Sequence, residues 1–218
     1  MNIPIVYSHG FGTRSDARGM FTDIVTLFPD REHIQFDYNE IIDERTLRAA
    51  SLTTQTEKLS EVLTALEIRE PHVDLVAHSQ GGIIAAMVNP ACIRKAIFIA
   101  PPPSYDLEYS ISKFASKPGA VVDLAGESVM PRSDGSITLV PASYWESVRY
   151  LDPVPLYNAF AKSTSLTIIA GNQDDVFKDI EFHDIDPSIR IIRIDGDHNF
   201  LGEYRKGLLQ LITQLLCD

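Results

Sequence analysis

Short apolar stretches alternate with amphipathic stretches along most of the chain. The short stretches are nearly continuous runs of apolar residues, which is typical of strands in a parallel sheet covered on both faces. The amphipathic stretches repeat apolar residues every three or four positions, which predicts helices with one buried face. The predicted strands are 3–7, 33–38, 73–77, 95–100, 166–170 and 189–194, and the predicted helices are 16–28, 53–66, 81–88 and 200–216. This alternation predicts an α/β fold, with a doubly wound, mostly parallel sheet of about six strands.

One long connection interrupts the alternation, between Pro101 and about Lys162. It is longer than the connections that compact α/β units use, and long connections of this kind are usually functional. It is rich in proline and aromatic residues, and the runs 120–124 and 136–140 predict a short hairpin. We therefore expect a single domain, 1–218, in which residues 103–162 form a cap over a site. A surface excursion with a small core of its own is the alternative.

The composition excludes several classes of partner. The 218 residues are 44% hydrophobic and 22% charged, which is ordinary for a globular domain. Nineteen basic and thirty acidic residues give a net charge of −11, so we expect no nucleic-acid partner. No apolar run is long enough for a membrane span. Cys92 and Cys217 form no metal or disulfide pattern and no leader is visible, which favours a cytoplasmic protein; a secreted protein without its leader would look the same.

The strongest chemical signal lies in residues 73–82, where a predicted strand runs into Ser79 and then into a helix of small residues. A nucleophilic serine needs a sharp strand-to-helix turn, with small residues two positions before and after it. Ala77 and Gly81 occupy those positions. An incidental serine in a strand–turn–helix unit is the alternative, but the position at the end of a buried strand favours a nucleophile.

A second glycine-containing turn, the sequence SHGFG at 8–12, follows the first predicted strand. In acyl transfer, backbone N–H groups fixed in such a turn stabilise the negative oxygen of the tetrahedral intermediate. We predict the amides of Phe11 and Gln80 as these donors. A glycine-rich turn can also bind phosphate, but the dinucleotide-binding spacing and the Walker lysine are both missing.

A base and an acid are predicted in two loops, 170–176 and 195–200, that follow the last two strands. The carboxyl ends of parallel strands meet at one edge of a sheet, so both loops should lie near Ser79. His198 is predicted to take the serine proton, and a carboxylate would orient its imidazole. We favour Asp174 over Asp175 as that acid.

The other titratable residues near these loops are given different roles. Asp195 and Asp197 beside His198 could suggest a metal site, but no second histidine or cysteine has supporting spacing, so we expect no metal. The remaining histidines are interpreted as structural or surface groups: His9, His33, His72, His78 and His183.

Taken together, these segments resemble the α/β-hydrolase superfamily. The order nucleophile, acid, histidine is the order of that superfamily, and Gly171 and Val176 around Asp174 also fit its pattern. The sequence AHSQGG at 77–82 is similar to the nucleophile turn of small bacterial lipases, although the superfamily usually has glycine at position 77. Segments 134–139 and 150–153 are similar to the hairpin cap of feruloyl and cinnamoyl esterases. The resemblance implies a minimal α/β-hydrolase core with a short cap.

The resemblance also implies ester hydrolysis through an acyl-enzyme, without a cofactor. We predict a serine carboxylesterase, monomer or homodimer, that acts on small, uncharged acyl or aryl esters of short to medium length. The predicted pocket residues are Trp145, Tyr150 and Phe200, together with Phe11. Lysophospholipase, thioesterase or peptidase chemistry on the same triad remains an alternative, as does a ligand-binding module without turnover.

Overall fold

The structure, a computed structural model, describes residues 3–177 and 180–217. The strands in chain order are β1 (Ile5–Ser8), β2 (His33–Ile34), β3 (Glu40–Ile41), β4 (Thr46–Arg48), β5 (Val73–His78), β6 (Ile93–Ile99), β7 (Glu127–Pro131), β8 (Ile137–Pro141), β9 (Ser165–Gly171) and β10 (Arg190–Ile194). The helices are α1 (Met20–Leu27), α2 (Leu52–Glu67), α3 (Gln80–Val88), α4 (Leu107–Ala115), α5 (Ala142–Val148), α6 (Pro153–Phe160) and α7 (Tyr204–Cys217).

Six strands form the central sheet, in the order β10-β9-β6-β5-β1-β2. Every neighbouring pair in this sheet is parallel. All six residues of β5 are buried, and so are all four of β1, because helices cover both faces. The predicted α/β fold with a parallel sheet of about six strands is confirmed.

Helices cover the sheet on both faces and create two apolar layers. Helices α1 and α7 share one layer, which contains Phe21 and Ile212. The other layer contains α2, α3 and α6, and there Phe98 of β6 packs against Tyr157 and Phe160 of α6, with ring centroids 5.6 and 5.4 Å apart. These two layers explain why the strands appear in the sequence as continuous apolar runs.

Strand β2 and helix α1 are both shorter than their sequence patterns predict, and α7 begins at Tyr204 rather than at residue 200. Strand β2 ends after two residues, and the backbone N–H of Tyr38, within the predicted strand, instead donates to His9 Nε2 at 3.0 Å. Helix α1 begins at Met20 rather than at residue 16, because Ala17, Arg18 and Gly19 have φ values of 46°, 59° and 80°. Positive φ is incompatible with a right-handed helix. The helical pattern in the sequence therefore starts before the residues that are actually helical.

A second sheet of four strands, in the order β3-β4-β8-β7, lies outside the central sheet. Strands β4 and β8 are parallel, and the other two pairs are antiparallel. Arg48 on β4 joins the two ends of this sheet, because it pairs with Glu40 at 2.7 Å and with Glu127 at 2.6 Å. We use "cap" for this sheet together with α4 and α5. The cap therefore takes two of its strands from residues 40–48, far upstream of the predicted insertion.

The predicted hairpin exists, but the prediction of its first strand was wrong. That strand is β7 (Glu127–Pro131), whereas 120–124 contributes a single bridge between Val121 and Val129. The reason is a local turn, in which Asp123 Oδ1 accepts hydrogen bonds from the backbone N–H groups of Ala125 and Gly126 at 3.1 and 2.9 Å. Aspartate commonly stabilises such turns in this way, and here the turn separates the apolar run from the hairpin.

Candidate active site

Ser79 occupies a sharp turn between β5 and α3, with φ 54° and ψ −125°. Positive φ costs a residue other than glycine roughly 1–3 kcal/mol, so the surrounding structure must hold this conformation in place. The hydroxyl of Ser8 on β1 donates to the carbonyl of Gly81 at 2.9 Å. A side chain at Gly81 would overlap the carbonyl oxygen of Ser8. Glycine at 81 therefore lets α3 start directly against β1.

A continuous chain of hydrogen bonds runs from Ser79 through His198 to Asp174. The distance from Ser79 Oγ to His198 Nε2 is 2.9 Å, and that from His198 Nδ1 to Asp174 Oδ2 is 2.8 Å. With the Nδ1 proton donated to the carboxylate, Nε2 is left to accept the serine proton. The His198 and Asp174 side chains are 9% and 5% exposed, whereas Asp175 is exposed. The structure thus brings together the three residues predicted from sequence, and Asp174 rather than Asp175 contacts His198.

The loops that carry Asp174 and His198 are bonded to each other and to the serine turn. The backbone N–H of Gln173 donates to the carbonyl of Gly196 at 3.0 Å, and the N–H of Gly196 donates to Gln173 Oε1 at 2.6 Å. His78 Nε2–H donates to the backbone carbonyl of His198 at 3.0 Å. These contacts fix the relative positions of the three loops.

The two predicted oxyanion-hole residues, Phe11 and Gln80, both lie beside Ser79 in the same cavity. The carbonyl of Gly10 accepts hydrogen bonds from His9 Nδ1 and Thr13 Oγ1, each at 3.0 Å. In a trans peptide the carbonyl and the following N–H point in opposite directions, so these bonds direct the N–H of Phe11 away from His9. His9 therefore orients this peptide plane.

Gln80 is held by a buried network that joins the serine turn to the cap. The hydroxyl of Tyr144 on α5 donates to Gln80 Oε1 at 2.6 Å, and Gln80 Nε2 donates to Gln55 Oε1 at 2.9 Å. Gln55 Nε2 in turn donates to the carbonyl of Ala50 at 2.6 Å. Because every link is buried or half-buried, the network restrains Gln80, whose own N–H is the second predicted donor.

A cavity of about 560 Å³ lies between the cap and the edge of the central sheet that carries the Ser79 and His198 loops. Its volume is in the range of small-molecule sites. Ser79 and His198 line it, and just over half of the remaining lining residues are aromatic or apolar, several of them from the cap. The aromatic lining residues are Phe11, Tyr105, Tyr109, Phe114, Tyr144, Trp145 and Phe177.

The family model described as "Alpha/beta hydrolase family" matches residues 5–209, nearly the whole chain. The chain belongs to the α/β-hydrolase family. No curated protein matches the sequence of this family member.

Several solved structures resemble this α/β-hydrolase family member over their length, at low sequence identity. Est1E from Butyrivibrio proteoclasticus with bound ferulic acid is 14% identical and has a TM-score of 0.70, with 99% of this chain and 90% of that chain covered. A structure from a study of carboxylesterases of Nitrososphaera gargenis is 17% identical (TM-score 0.67; 99% and 90% covered). A thermophilic esterase from Thermogutta terrifontis is 15% identical (TM-score 0.66; 99% and 89% covered). At this identity the likeness concerns the fold.

Two of the pocket residues predicted for this family member lie elsewhere. Tyr150 is 90% exposed and Phe200 is fully buried, and neither lines the cavity. Phe200 belongs to the apolar layer of α1 and α7. A side chain at Gly196 would overlap the Phe200 ring, so this ring packs directly against the backbone of the His198 loop. Trp145 and Phe11 do line the cavity, as predicted.

The residues of α4 that line the cavity were missed at the sequence level. Tyr109, Lys113 and Phe114 all come from this helix, which begins after the N-cap Asp106. Asp106 Oδ1 accepts the backbone N–H of Tyr109 at 2.9 Å. An aspartate before a segment with apolar residues at 107, 111 and 114 is a start signal that predicts this helix.

Buried imidazoles support both turns of this site. Burial lowers the pKa of His9, and it lowers the pKa of His78 to about 3. His78 Nδ1 has no hydrogen-bond partner among the described residues. Both rings therefore remain neutral at physiological pH, and His78 acts as a neutral donor to the His198 loop.

The burial of His78 predicts a loss of stability in acid. In the unfolded chain an imidazole takes up a proton below about pH 6.5, whereas in the folded chain His78 resists protonation until about pH 3. Its contribution is therefore complete above pH 6.5 and declines as the pH falls toward 3. Between pH 7.5 and 4.5, His78 should account for a loss of about 2–3 kcal/mol in the free energy of unfolding.

Urea unfolding of the wild type and the His78→Gln variant at both pH values tests this prediction. The variant should be less stable at pH 7.5, but it should lose about 2 kcal/mol less than the wild type on acidification. His72→Gln, which replaces an exposed imidazole, is the control and should follow the wild type. Equal acid sensitivity of His78→Gln and the wild type would contradict the prediction.

Within residues 3–177 and 180–217, no cluster of histidine, cysteine or acidic side chains could hold a metal ion. Asp197 instead accepts the backbone N–H groups of Asn199 and Leu201 at 3.0 and 3.1 Å, and Asp195 accepts the side chain of Asn172 at 3.2 Å. Among the same residues, each helix is too short or too polar to span a bilayer.

Proposed function

We propose that this α/β-hydrolase family member is a serine carboxylesterase that cleaves short-to-medium acyl or aryl esters through an acyl-enzyme. The observation that carries the proposal is the unbroken chain of hydrogen bonds from Ser79 through His198 to Asp174, beside a cavity of substrate size. This arrangement of hydroxyl, imidazole and carboxylate is the one that serine hydrolases use.

The proposed reaction has two steps. Ser79 Oγ attacks the ester carbonyl carbon while its proton passes to His198 Nε2, and Asp174 stabilises the resulting imidazolium. The carbonyl oxygen becomes negative and accepts hydrogen bonds from the N–H groups of Phe11 and Gln80. His198 then gives its proton to the departing alkoxide, which leaves as an alcohol. In the second step, water attacks the acyl-enzyme with His198 again as the base, and the acid is released.

The cavity lining favours a substrate with an apolar or aryl part. Aromatic side chains supply much of the cap side of the cavity, and such surfaces bind flat or extended apolar groups. Two of the solved structures that share this fold, from Nitrososphaera gargenis and Thermogutta terrifontis, are described as esterases, which agrees with this choice.

Two measurements on the wild type test the proposal. We expect hydrolysis of 4-nitrophenyl esters in the range from acetate to octanoate, and a fluorophosphonate should label one serine, Ser79, as located by mass spectrometry of peptides. Ser79→Ala should lose both the turnover and the label. Ser104→Ala, which removes another hydroxyl from the same cavity, should keep the label.

The outcome of the same assays separates the alternatives. Saturable ligand binding without turnover or label would favour a binding module. A strong preference for thioesters, lysophospholipids or peptides over oxygen esters would assign the same triad to one of those reactions. A label on any serine other than Ser79 would contradict the proposed site.

A further inference from the structure

Two lysines at the C-terminal end of α4 line the same cavity as Ser79. Lys113 lies in the last turn of α4, and Lys117 lies two residues beyond the end of that helix. The amine of Lys113 donates to the backbone carbonyl of Asp175, in the loop that carries Asp174, and it lies 5.7 Å from the ring centroid of Tyr109. Lys113 thus connects the cap to the acid loop across the cavity.

Neither lysine forms an ion pair with an acidic side chain within the described parts of the chain. Two carboxylates also line the cavity, those of Asp106 and Asp175. Asp106 caps the N-terminus of α4, at the opposite end of that helix from Lys117. Asp175 contacts Lys113 through its backbone oxygen. Among the described residues, neither lysine is therefore neutralised by a direct ion pair.

Two arginines lie near Lys117 and add positive charge beside the cavity, although neither lines it. Arg132 donates through Nε to Thr138 Oγ1 at 2.9 Å and through Nη2 to the carbonyl of Phe11 at 3.3 Å. Its guanidinium also lies over the Phe11 ring, 5.1 Å from the centroid. Arg18 pairs with Asp134 at 3.1 Å.

These four residues, Arg18, Lys113, Lys117 and Arg132, are here called the cationic cluster. Burial and then the charges of Arg132, Arg18 and Lys113 lower the pKa of Lys117. Such repulsion among like charges costs free energy in the unliganded protein. An anionic ligand at Lys117 would relieve that repulsion.

We propose that the ester substrate carries a carboxylate, and that Lys117 and Lys113 bind it. This inference rests on the proposed esterase function and narrows its substrate class. Ser79 and Lys117 line one cavity of about 560 Å³, so we expect a ligand with its carboxylate a few carbon atoms from its ester to contact both groups. The chain as a whole has a net charge of −11, so four cationic side chains grouped in and beside one cavity are an exception to its overall charge. The proposed carboxylate-binding site replaces the expectation, drawn from the sequence, that the substrate is uncharged.

Binding is tested without turnover in the Ser79→Ala variant. The first probe pair is monoethyl adipate and its neutral analogue, in which an amide replaces the carboxylate. The second pair, 3-acetoxybenzoate and 3-acetoxybenzamide, places the charge on the alcohol side of the ester. Calorimetry and the fluorescence of Trp145, the only tryptophan and a cavity residue, report binding.

We expect the anion of at least one pair to bind about fivefold more tightly than its amide, as a charge interaction near a protein surface allows. Lys117→Met, in the Ser79→Ala background, should abolish this preference, and Lys117→Glu should reverse it. Lys206→Met removes the same charge from an exposed position on α7 and should retain the preference. Equal binding of acid and amide in both pairs would overturn the proposal, as would an unchanged preference in both Lys117 variants.

Turnover of the same four esters by the wild type separates this inference from the proposed function. Hydrolysis of all four without charge preference would leave the esterase function standing and overturn the carboxylate site. No hydrolysis, together with a Lys117-dependent preference in binding, would support the carboxylate site and remove the esterase function.

Discussion

Asp174→Asn is expected to lower kcat for ester hydrolysis by about 10⁴-fold while leaving the fold intact. The carboxylate of Asp174 accepts the Nδ1 proton of His198 at 2.8 Å, and this keeps Nε2 unprotonated toward Ser79. An asparagine presents an amide NH₂ or a neutral oxygen instead. The His198 imidazole then either adopts the wrong tautomer or lacks the negative charge that stabilises its protonated form. Steady-state kinetics on a 4-nitrophenyl ester measures the loss.

Asp175→Asn is the matched control for this substitution. Asp175 adjoins Asp174 and lines the cavity, but its side chain is exposed. We expect its kcat to stay within about tenfold of the wild type, since no charge that supports His198 is removed. A larger loss in Asp175→Asn than in Asp174→Asn would show that Asp175, and not Asp174, is the acid.

Gly81→Ala is expected to damage both stability and activity. The added methyl group would overlap the carbonyl oxygen of Ser8, a backbone atom of the central sheet that is fully buried. Relief of this overlap requires α3 to move away from β1, at a cost of about 3 kcal/mol in the free energy of unfolding. The N–H of Gln80 and the hydroxyl of Ser79 would move with the helix. A displacement of about 1 Å can cost roughly 100-fold in rate.

Gly207→Ala makes the same chemical change without the overlap. Gly207 lies within α7, and a side chain there meets no atom within 4 Å. This variant should be about 0.5–1 kcal/mol more stable than the wild type, because alanine favours helix over glycine. Urea unfolding and ester kinetics of both variants check the contrast. Wild-type stability in Gly81→Ala would refute the argument that glycine is required at this turn.

The sequence was sufficient to predict the parts of the molecule that depend on local pattern and on parallel topology. Strands β5, β6 and β9 are buried on both faces, so they appear as continuous apolar runs whose positions the structure confirms. Because parallel strands place their carboxyl ends at one edge, the loops after β5, β9 and β10 could be brought together without coordinates. This is why Ser79, Asp174 and His198 were identified as one group.

The cap was harder to predict because its contacts are not local. Strand β4 pairs with β8, about ninety residues later in the chain, and neither has an apolar pattern that indicates its partner. The choice of Tyr150 and Phe200 as pocket residues failed for a related reason. Both are aromatic and lie close to the relevant segments, but aromatic character does not determine whether a side chain faces the cavity, the core or solvent.

The pairing of β4 with β8 also limits how specificity could be transferred between related enzymes. Arg48 salt-bridges Glu127 across that junction, and Ser147 of α5 accepts the first backbone N–H of α2 at 3.0 Å. A chimera that exchanged only the downstream segment would leave the edge of β4 without its hydrogen-bonding partner. Exchange of the cap of this chain would therefore have to move two separate stretches of sequence together, which a crossover at a single breakpoint does not do.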